Sequence, residues 1–132
     1  MINHTITFLL LRLAVATSMF GHGLVRLPKL NGFSKWMVGQ FEKSMLPELL
    51  VIPFSYALPI IEFGIGLLLL LGLFTRQSLI VGGFTMIALI FGSSMIEEWG
   101  AIPSQLIHVF FFAVLLSYLQ HNSYALDNVM KR

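Results

Sequence analysis

Five polar side chains interrupt otherwise apolar stretches of this sequence, and their types could do chemistry. They are Arg12, His22, Glu62, Gln105 and His108. An ionisable group inside a membrane-spanning helix costs about 2.5 to 3.5 kcal/mol on insertion, so such groups usually face the interior of a helix bundle and mark function. A guanidinium, a carboxylate and two imidazoles can hydrogen-bond a polar headgroup and pass protons. The five residues therefore predict a polar slot that binds a ligand or relays protons.

The depths of these groups along their helices predict a single polar column. With a rise of about 1.5 Å per residue, His22 and His108 lie about 7 to 8 Å below the same end of the bundle, and Glu62 lies about 15 Å below it. Arg12 is deeper by roughly 7 Å, a gap that an extended arginine largely spans. Gln105 is about one turn above His108. We therefore predict an Arg12–Glu62 ion pair at the base of the column.

Each of these interpretations has a structural alternative. The Arg12–Glu62 pair could serve only to fix the packing of two helices, and without Arg12 the Glu62 carboxyl could stay neutral by remaining protonated. The histidines could be hydrogen-bonded packing residues, or two of them at equal depth could hold a haem. No spacing of ligand residues within one helix matches a metal site, so no metal is predicted.

The helices that must position these residues belong to a chain with the composition of a membrane protein. The chain has 132 residues, of which 57% are hydrophobic and 11% are charged, and its mean hydropathy is +0.86. A soluble domain carries roughly 25% charged residues. The absence of cysteine excludes thiolate catalysis and cysteine-ligated clusters. A net charge of +2 without a basic run gives no reason to expect nucleic acid as a partner.

Four apolar stretches have the length of about 20 residues that crosses a bilayer. We place them at residues 5–27, 52–74, 78–96 and 103–119. The link "TRQ" between the second and third stretches is short, so these two helices form a tight hairpin. The polar tail ends in a short surface helix. The predicted fold is all-α: a four-transmembrane-helix bundle that forms a single integral membrane domain over residues 1–132.

The connection between the first two spans carries a helical pattern of its own. Phe33, Trp36, Met37 and Phe41 recur at helical spacings, and charged residues fall elsewhere. This pattern favours a short amphipathic helix at the membrane interface, with Trp36 at headgroup depth. A polar connector with a few buried aromatic residues explains it equally well.

The sidedness of the bundle is only weakly encoded. Four spans place both termini and Arg76 on one side, and Lys and Arg are divided almost evenly between the two sides. Short loops follow the positive-inside rule best, and "TRQ" carries Arg76 whereas "EEWGA" carries no positive charge. We therefore predict cytoplasmic termini, in a bacterial cytoplasmic (inner) membrane.

Four segments of the sequence resemble the DoxX family of small four-helix membrane proteins. They are "LLLRLAVATSMFGHG" with Arg12 and His22, "KLNGF", "PIIEFGIGLLLLLGLFTR" with Glu62, and "SYALDN" after the last span. The resemblance implies a four-helix bundle whose polar core contains Arg12, His22 and Glu62. The family is named after a subunit associated with thiosulfate:quinone oxidoreductase, and some distant relatives are thiol-redox partners or assembly chaperones. Without cysteine, this chain lacks the thiol-redox chemistry.

Three functions from different classes follow from these features. The first is a membrane subunit, associated with an oxidoreductase, that binds quinone or a similar amphiphile in the slot formed by Arg12, His22, Glu62, Gln105 and His108. The second is a scaffold or assembly factor without catalytic activity, whose polar core only specifies packing. The third is a small proton-coupled transporter with Glu62 as its protonation site. The expected partners are the lipid bilayer, a membrane or redox protein, and further copies of the chain.

Overall fold

The computed structural model describes residues 2–130, and this part of the chain folds into six α-helices. The helices are α1 (Ile2–Arg26), α2 (Leu30–Gln40), α3 (Glu48–Leu71), α4 (Thr75–Met95), α5 (Ile102–Ser117) and α6 (Leu126–Met130). Single 3-10 turns follow α1 and precede and follow α5. Residues 2–130 contain no β-strand, which confirms the predicted all-α class.

Within the described residues, four stretches of helix are long and apolar enough to cross a membrane. They are Asn3–Gln40, which contains both α1 and α2, then Glu48–Leu71, Thr75–Met95 and Trp99–Ser117. Because α2 is separated from α1 by a 3-10 turn containing Pro28, we treat α1, α3, α4 and α5 as the four spans. The predicted four-helix bundle is thus confirmed.

The amphipathic pattern between the first two spans is a helix in the structure. Ser34 and Met37 of α2 are buried, whereas Trp36 is exposed. The buried side of α2 contacts the start of α3, where the hydroxyl groups of Ser34 and Ser55 lie 2.6 Å apart. Of the two interpretations of this segment, the helix is therefore correct.

The hairpin between α3 and α4 differs from the prediction. Helix α3 ends at Leu71 and is followed by Gly72, which has φ +70°. The N–H of Leu73 bonds back to the carbonyl of Leu68 at 2.8 Å. Glycine adopts this left-handed conformation without steric cost, so it ends helices in this way. Helix α4 then begins at Thr75, so the predicted link "TRQ" is wrong: these residues are the first turn of α4.

Two closely packed helix pairs make up the bundle. Helices α1 and α3 share the most extensive interface, followed by α4 and α5. In the first interface, a Cβ added to Gly66 would clash with the backbone of Phe20, and one added to Gly23 would clash with the backbone of Phe63. Small residues that permit such close approach are characteristic of membrane helix interfaces. The core cluster, which includes Met19, Ile65, Leu69, Leu79, Met86 and Phe112, fills the space between the pairs.

Candidate functional site

A cavity of about 310 Å³ lies where the bundle meets its longer connections, and we call it the loop-side cavity. All five of the helices α1 to α5 contribute to its wall. Its polar lining residues include His22, Arg26, Glu62, Gln105 and His108, and its apolar lining includes Met19, Phe33, Met37, Leu58, Met86 and Leu89. Polar groups gathered within a largely apolar wall are typical of small-molecule sites.

Glu62 is held in this cavity by Arg26. Its Oε1 lies 3.0 Å from Nη1 of Arg26, and the Glu62 side chain is only 4% exposed. Arg26 is the last residue of α1, and its guanidinium also sits 4.5 Å from the centre of the Phe33 ring of α2. The ion pair therefore links α1 to α3, while the cation–π contact holds α2 over the same group.

The predicted Arg12–Glu62 pair is wrong. Arg12 and Arg26 are 14 residues apart on α1, which separates them by about 21 Å along the helix axis. Arg12 does not line the loop-side cavity, and its Nη1 donates instead to Oδ1 of Asn122 at 2.8 Å and to the carbonyl of Tyr124 at 2.9 Å. Arg26, at the end of α1, compensates Glu62 in place of Arg12, which lies inside the apolar run.

Arg12 instead belongs to a second polar group, which we call the tail cluster: Arg12, Thr75, Asn122 and Asp127. Nδ2 of Asn122 donates to Oγ1 of Thr75 at 3.1 Å. The Asp127 carboxylate accepts the backbone N–H groups of Phe74 and Thr75 at 2.7 and 2.8 Å. This cluster attaches the C-terminal segment to the start of α4, at the end of the bundle opposite the cavity.

The charge state of Asp127 is set by the same contacts. Partial burial acts to raise the pKa of the Asp127 carboxyl. Hydrogen bonds from Thr75 and Phe74, together with the positive charge of Arg12, outweigh that effect and hold the pKa below its ordinary value. Asp127 is therefore an anion at neutral pH and compensates the buried Arg12.

The two histidines that line the cavity, His22 and His108, are both hydrogen-bonded to Ser18 of α1. Nδ1 of His108 lies 2.8 Å from the carbonyl of Ser104, and its Nε2 lies 2.7 Å from Oγ of Ser18. Nδ1 of His22 lies 2.6 Å from the carbonyl of Ser18. Because a carbonyl can only accept, both Nδ1 atoms must carry the proton. The two imidazole rings meet edge to face with centres 6.4 Å apart.

Gln105 contributes a buried polar atom that lacks a partner. Its Nε2 donates to Oγ of Ser93 at 3.0 Å, but its Oε1 is buried and makes no hydrogen bond within the described part of the chain. A buried acceptor without a partner costs about 1 to 3 kcal/mol. An atom of this kind in a cavity wall is suited to a ligand or a water molecule.

An apolar crevice of about 160 Å³ adjoins the loop-side cavity. The two share lining residues on α2, α3 and α4 and in the loop after α2, namely Met37, Phe41, Phe54, Ala88 and Gly92. The crevice continues toward the start of α3, where it is lined by Leu46, Leu50 and Val51. A cavity with several polar groups in its wall thus lies next to a crevice lined by apolar residues.

The structure brings four of the five predicted residues together and separates one. His22, Glu62, Gln105 and His108 line one cavity, and Arg12 lies elsewhere. Sequence reasoning missed Arg26 and Ser18, although both stand one helical turn from His22, at i+4 and i−4. No group of three or more His, Asp and Glu side chains suited to a metal ion occurs within residues 2–130.

Four spanning helices around a partly polar cavity define an integral, multi-pass membrane protein. The model of the DoxX family matches residues 7–95, more than half of the chain, so the protein belongs to the DoxX family. The matched segment contains His22, Arg26 and Glu62, whereas Gln105, His108 and the tail lie beyond it. No curated protein and no solved structure matches the chain.

Proposed function

We propose that this protein binds a quinone-type amphiphile in the loop-side cavity and acts as the membrane subunit of an oxidoreductase. The observation that carries the proposal is the pairing of a partly polar cavity with an adjoining apolar crevice. A quinone-type amphiphile likewise has two parts, a polar ring and a long hydrocarbon tail. The ring would occupy the cavity, and the tail would follow the crevice into the lipid.

The dimensions and chemistry of the cavity support such a ligand. Small-molecule sites generally occupy about 300 to 1,000 Å³, and this cavity of about 310 Å³ is at the lower end. It is therefore suited to a single ring rather than to a haem. The wall offers hydrogen-bonding side chains from α1, α3 and α5, which can contact ring oxygens from different directions.

The chain's own residues would bind the headgroup and handle its protons. A bound quinone supplies the electron and proton chemistry that the side chains lack. Arg26 would orient a ring oxygen through N–H groups not engaged by Glu62, and Glu62 would keep Arg26 in position. His22 would hold or release a proton at Nε2, since its Nδ1 is committed to the Ser18 carbonyl.

The proposed oxidoreductase association rests on the family resemblance. Because the sequence has no cysteine to hold an iron–sulfur cluster, electrons would pass between the bound ligand and a partner protein. We also keep as predictions an inner-membrane location with cytoplasmic termini, and assembly with other copies of the chain.

The test is mass spectrometry of amphiphiles that copurify with the protein in mild detergent. We expect a quinone or related compound with the wild type, and its loss from the variants His22→Ala and Glu62→Gln. The matched controls are His121→Ala and Glu42→Gln, which change the same residue types outside the cavity. Helix content measured by circular dichroism verifies that each variant is folded.

The opposite result has a defined meaning. A folded wild type that carries no amphiphile, and that binds none when quinones are added to proteoliposomes, would contradict the proposal. Stoichiometric capture of one protein partner by that ligand-free protein would then favour the scaffold function. A proton-driven flux lost in Glu62→Gln would favour the transporter.

A further inference from the structure

We infer that the loop-side cavity selects a ligand that donates hydrogen bonds, of the hydroquinone class, over one that can only accept them. The inference rests on the proposed function and specifies its ligand. A hydroquinone carries two hydroxyl groups, whereas the oxidised ring carries two carbonyl groups that have no hydrogen to donate. The two forms have nearly the same size, so the hydrogen-bonding groups of the wall must discriminate between them.

The first reason is the buried acceptor of Gln105. The amide Nε2 donates to Ser93, and its Oε1 is buried without a hydrogen-bond partner in the described part of the chain. A ligand hydroxyl would satisfy this oxygen. A ligand carbonyl would instead place two acceptors against each other, which is repulsive and leaves both without a hydrogen.

The second reason is the protonation pattern of the two histidines. His108 is saturated when neutral, because its Nδ1–H donates to the Ser104 carbonyl and its Nε2 accepts from the Ser18 hydroxyl. His22 donates through Nδ1 to the Ser18 carbonyl, which leaves Nε2 as a lone-pair acceptor. In the neutral state, neither ring therefore has an N–H left for a ligand carbonyl.

The third reason is that the free N–H groups of Arg26 do not favour the oxidised ring, because a hydroxyl oxygen accepts a hydrogen bond as a carbonyl oxygen does. Arg26 donates a hydrogen bond from Nη1 to Glu62, and its guanidinium lies over the Phe33 ring. Its side chain is 28% exposed, so its other N–H groups can be hydrated without a ligand. Discrimination between the two forms therefore rests on the acceptors of the wall, Nε2 of His22 on α1 and Oε1 of Gln105 on α5.

The experiment compares three probes that share one tail. The probes are decyl-hydroquinone, decyl-benzoquinone and the dimethyl ether of decyl-hydroquinone, and binding to the full-length protein in nanodiscs is measured by calorimetry without oxygen. We expect the hydroquinone to bind about tenfold more tightly than either of the other two, as one or two extra hydrogen bonds allow. The ether has the same skeleton but no hydroxyl hydrogen.

A variant assigns the preference to a residue. Gln105→Leu should weaken hydroquinone binding about three- to tenfold. Benzoquinone binding should stay the same or tighten slightly, because an opposing acceptor is removed, and its retention also verifies that the variant is folded. The matched control is Gln77→Leu, an exposed glutamine in the first turn of α4 at the opposite end of the bundle. This control should bind all three probes as the wild type does.

The outcomes separate the inference from the function on which it rests. Equal binding of all three probes, or tighter binding of benzoquinone, would overturn the donor preference while the cavity remained a ring-binding site. A preference for hydroquinone that persists unchanged in Gln105→Leu would overturn the role of Gln105. If no probe binds, the proposed function fails and the inference fails with it.

Discussion

The carboxylate of Asp127 accepts a hydrogen bond of 2.8 Å from the backbone N–H of Thr75, a residue 52 positions earlier in the chain. The same carboxylate accepts the N–H of Phe74 at 2.7 Å. The first N–H groups of a helix have no partner within the helix, so the C-terminal segment supplies the cap that α4 lacks. This explains why α4 begins at Thr75, earlier than its apolar pattern indicates.

Replacing the capping carboxylate should destabilise the bundle. We expect Asp127→Asn to lower the free energy of unfolding by about 1 kcal/mol, the usual effect of losing a helix cap. The loss arises because a neutral amide oxygen replaces two charged acceptors. Thermal unfolding followed by circular dichroism in detergent measures it, and Glu42→Gln, an exposed change in the loop after α2, serves as the control.

The same variant predicts a pH dependence. The pKa of Asp127 is held below its ordinary value of 3.8 in the folded protein, so its stabilising effect is present above that pH and is lost as the pH falls through the folded-state pKa. The difference between wild type and Asp127→Asn should therefore be constant from neutral pH down to about pH 4 and shrink as the pH falls further, through the folded-state pKa. A difference that persists unchanged after the carboxylate is protonated would show that its charge is unimportant.

The Arg26–Glu62 ion pair predicts an energetic coupling. Arg26→Gln leaves Glu62 as a buried charge without its partner, which should cost about 2 to 3 kcal/mol, less than for a fully buried pair because Arg26 is partly exposed. Adding Glu62→Gln removes that stranded charge. The double variant should thus be more stable than the sum of the single variants by about 1 kcal/mol or more, measured by unfolding in a double-mutant cycle.

The matched cycle uses the other arginine of α1. Arg12 contacts Asn122 and Tyr124 and lies far from the cavity. The effects of Arg12→Gln and Glu62→Gln should therefore add to within about 0.5 kcal/mol. Strong coupling in this second cycle and none in the first would contradict the Arg26–Glu62 pair and support the Arg12–Glu62 pair instead.

Close approach of α1 and α3 predicts opposite effects at two nearby glycines. A Cβ at Gly66 would clash with the backbone of Phe20, whereas a Cβ at Gly64 meets nothing within 4 Å. Gly66→Ala should cost at least about 2 kcal/mol, because a backbone contact cannot be relieved by a side-chain rotation. Gly64→Ala should be neutral or slightly stabilising through helix propensity. Equal effects on unfolding would contradict this packing.

The Ser18–His108 contact predicts a spectroscopic change. In the wild type, nitrogen NMR of labelled histidine should show His108 protonated at Nδ1, with Nε2 accepting a hydrogen bond from Ser18. Ser18→Ala should move the Nε2 resonance toward that of an unbonded nitrogen without changing the protonated atom, since the Ser104 carbonyl remains. The control Ser94→Ala removes a hydroxyl that bonds only within α4, and a shift there of equal size would contradict the contact.

The sequence by itself determined that the chain lies in a lipid bilayer, that its fold is all-α, and where its spans lie. Apolar stretches of about 20 residues must be helices in a bilayer, because every backbone polar group there needs a partner within its own segment. It also identified the residues of the cavity at His22, Glu62, Gln105 and His108, since polar groups in such stretches turn inward. The helix boundaries were predicted less accurately where a distant residue determines them, as Asp127 does at the start of α4.

Only the tertiary structure decided which charges pair. Height along a helix axis is set by residue number, and on that measure Arg12 was within reach of Glu62. The direction in which a side chain points depends on helix rotation and on the groups packed against it, and neither is encoded locally. Asn122 and the Tyr124 carbonyl bind Arg12 from a tail 110 or more residues away, which leaves Arg26 to compensate Glu62 and turns one predicted column into two separate polar clusters.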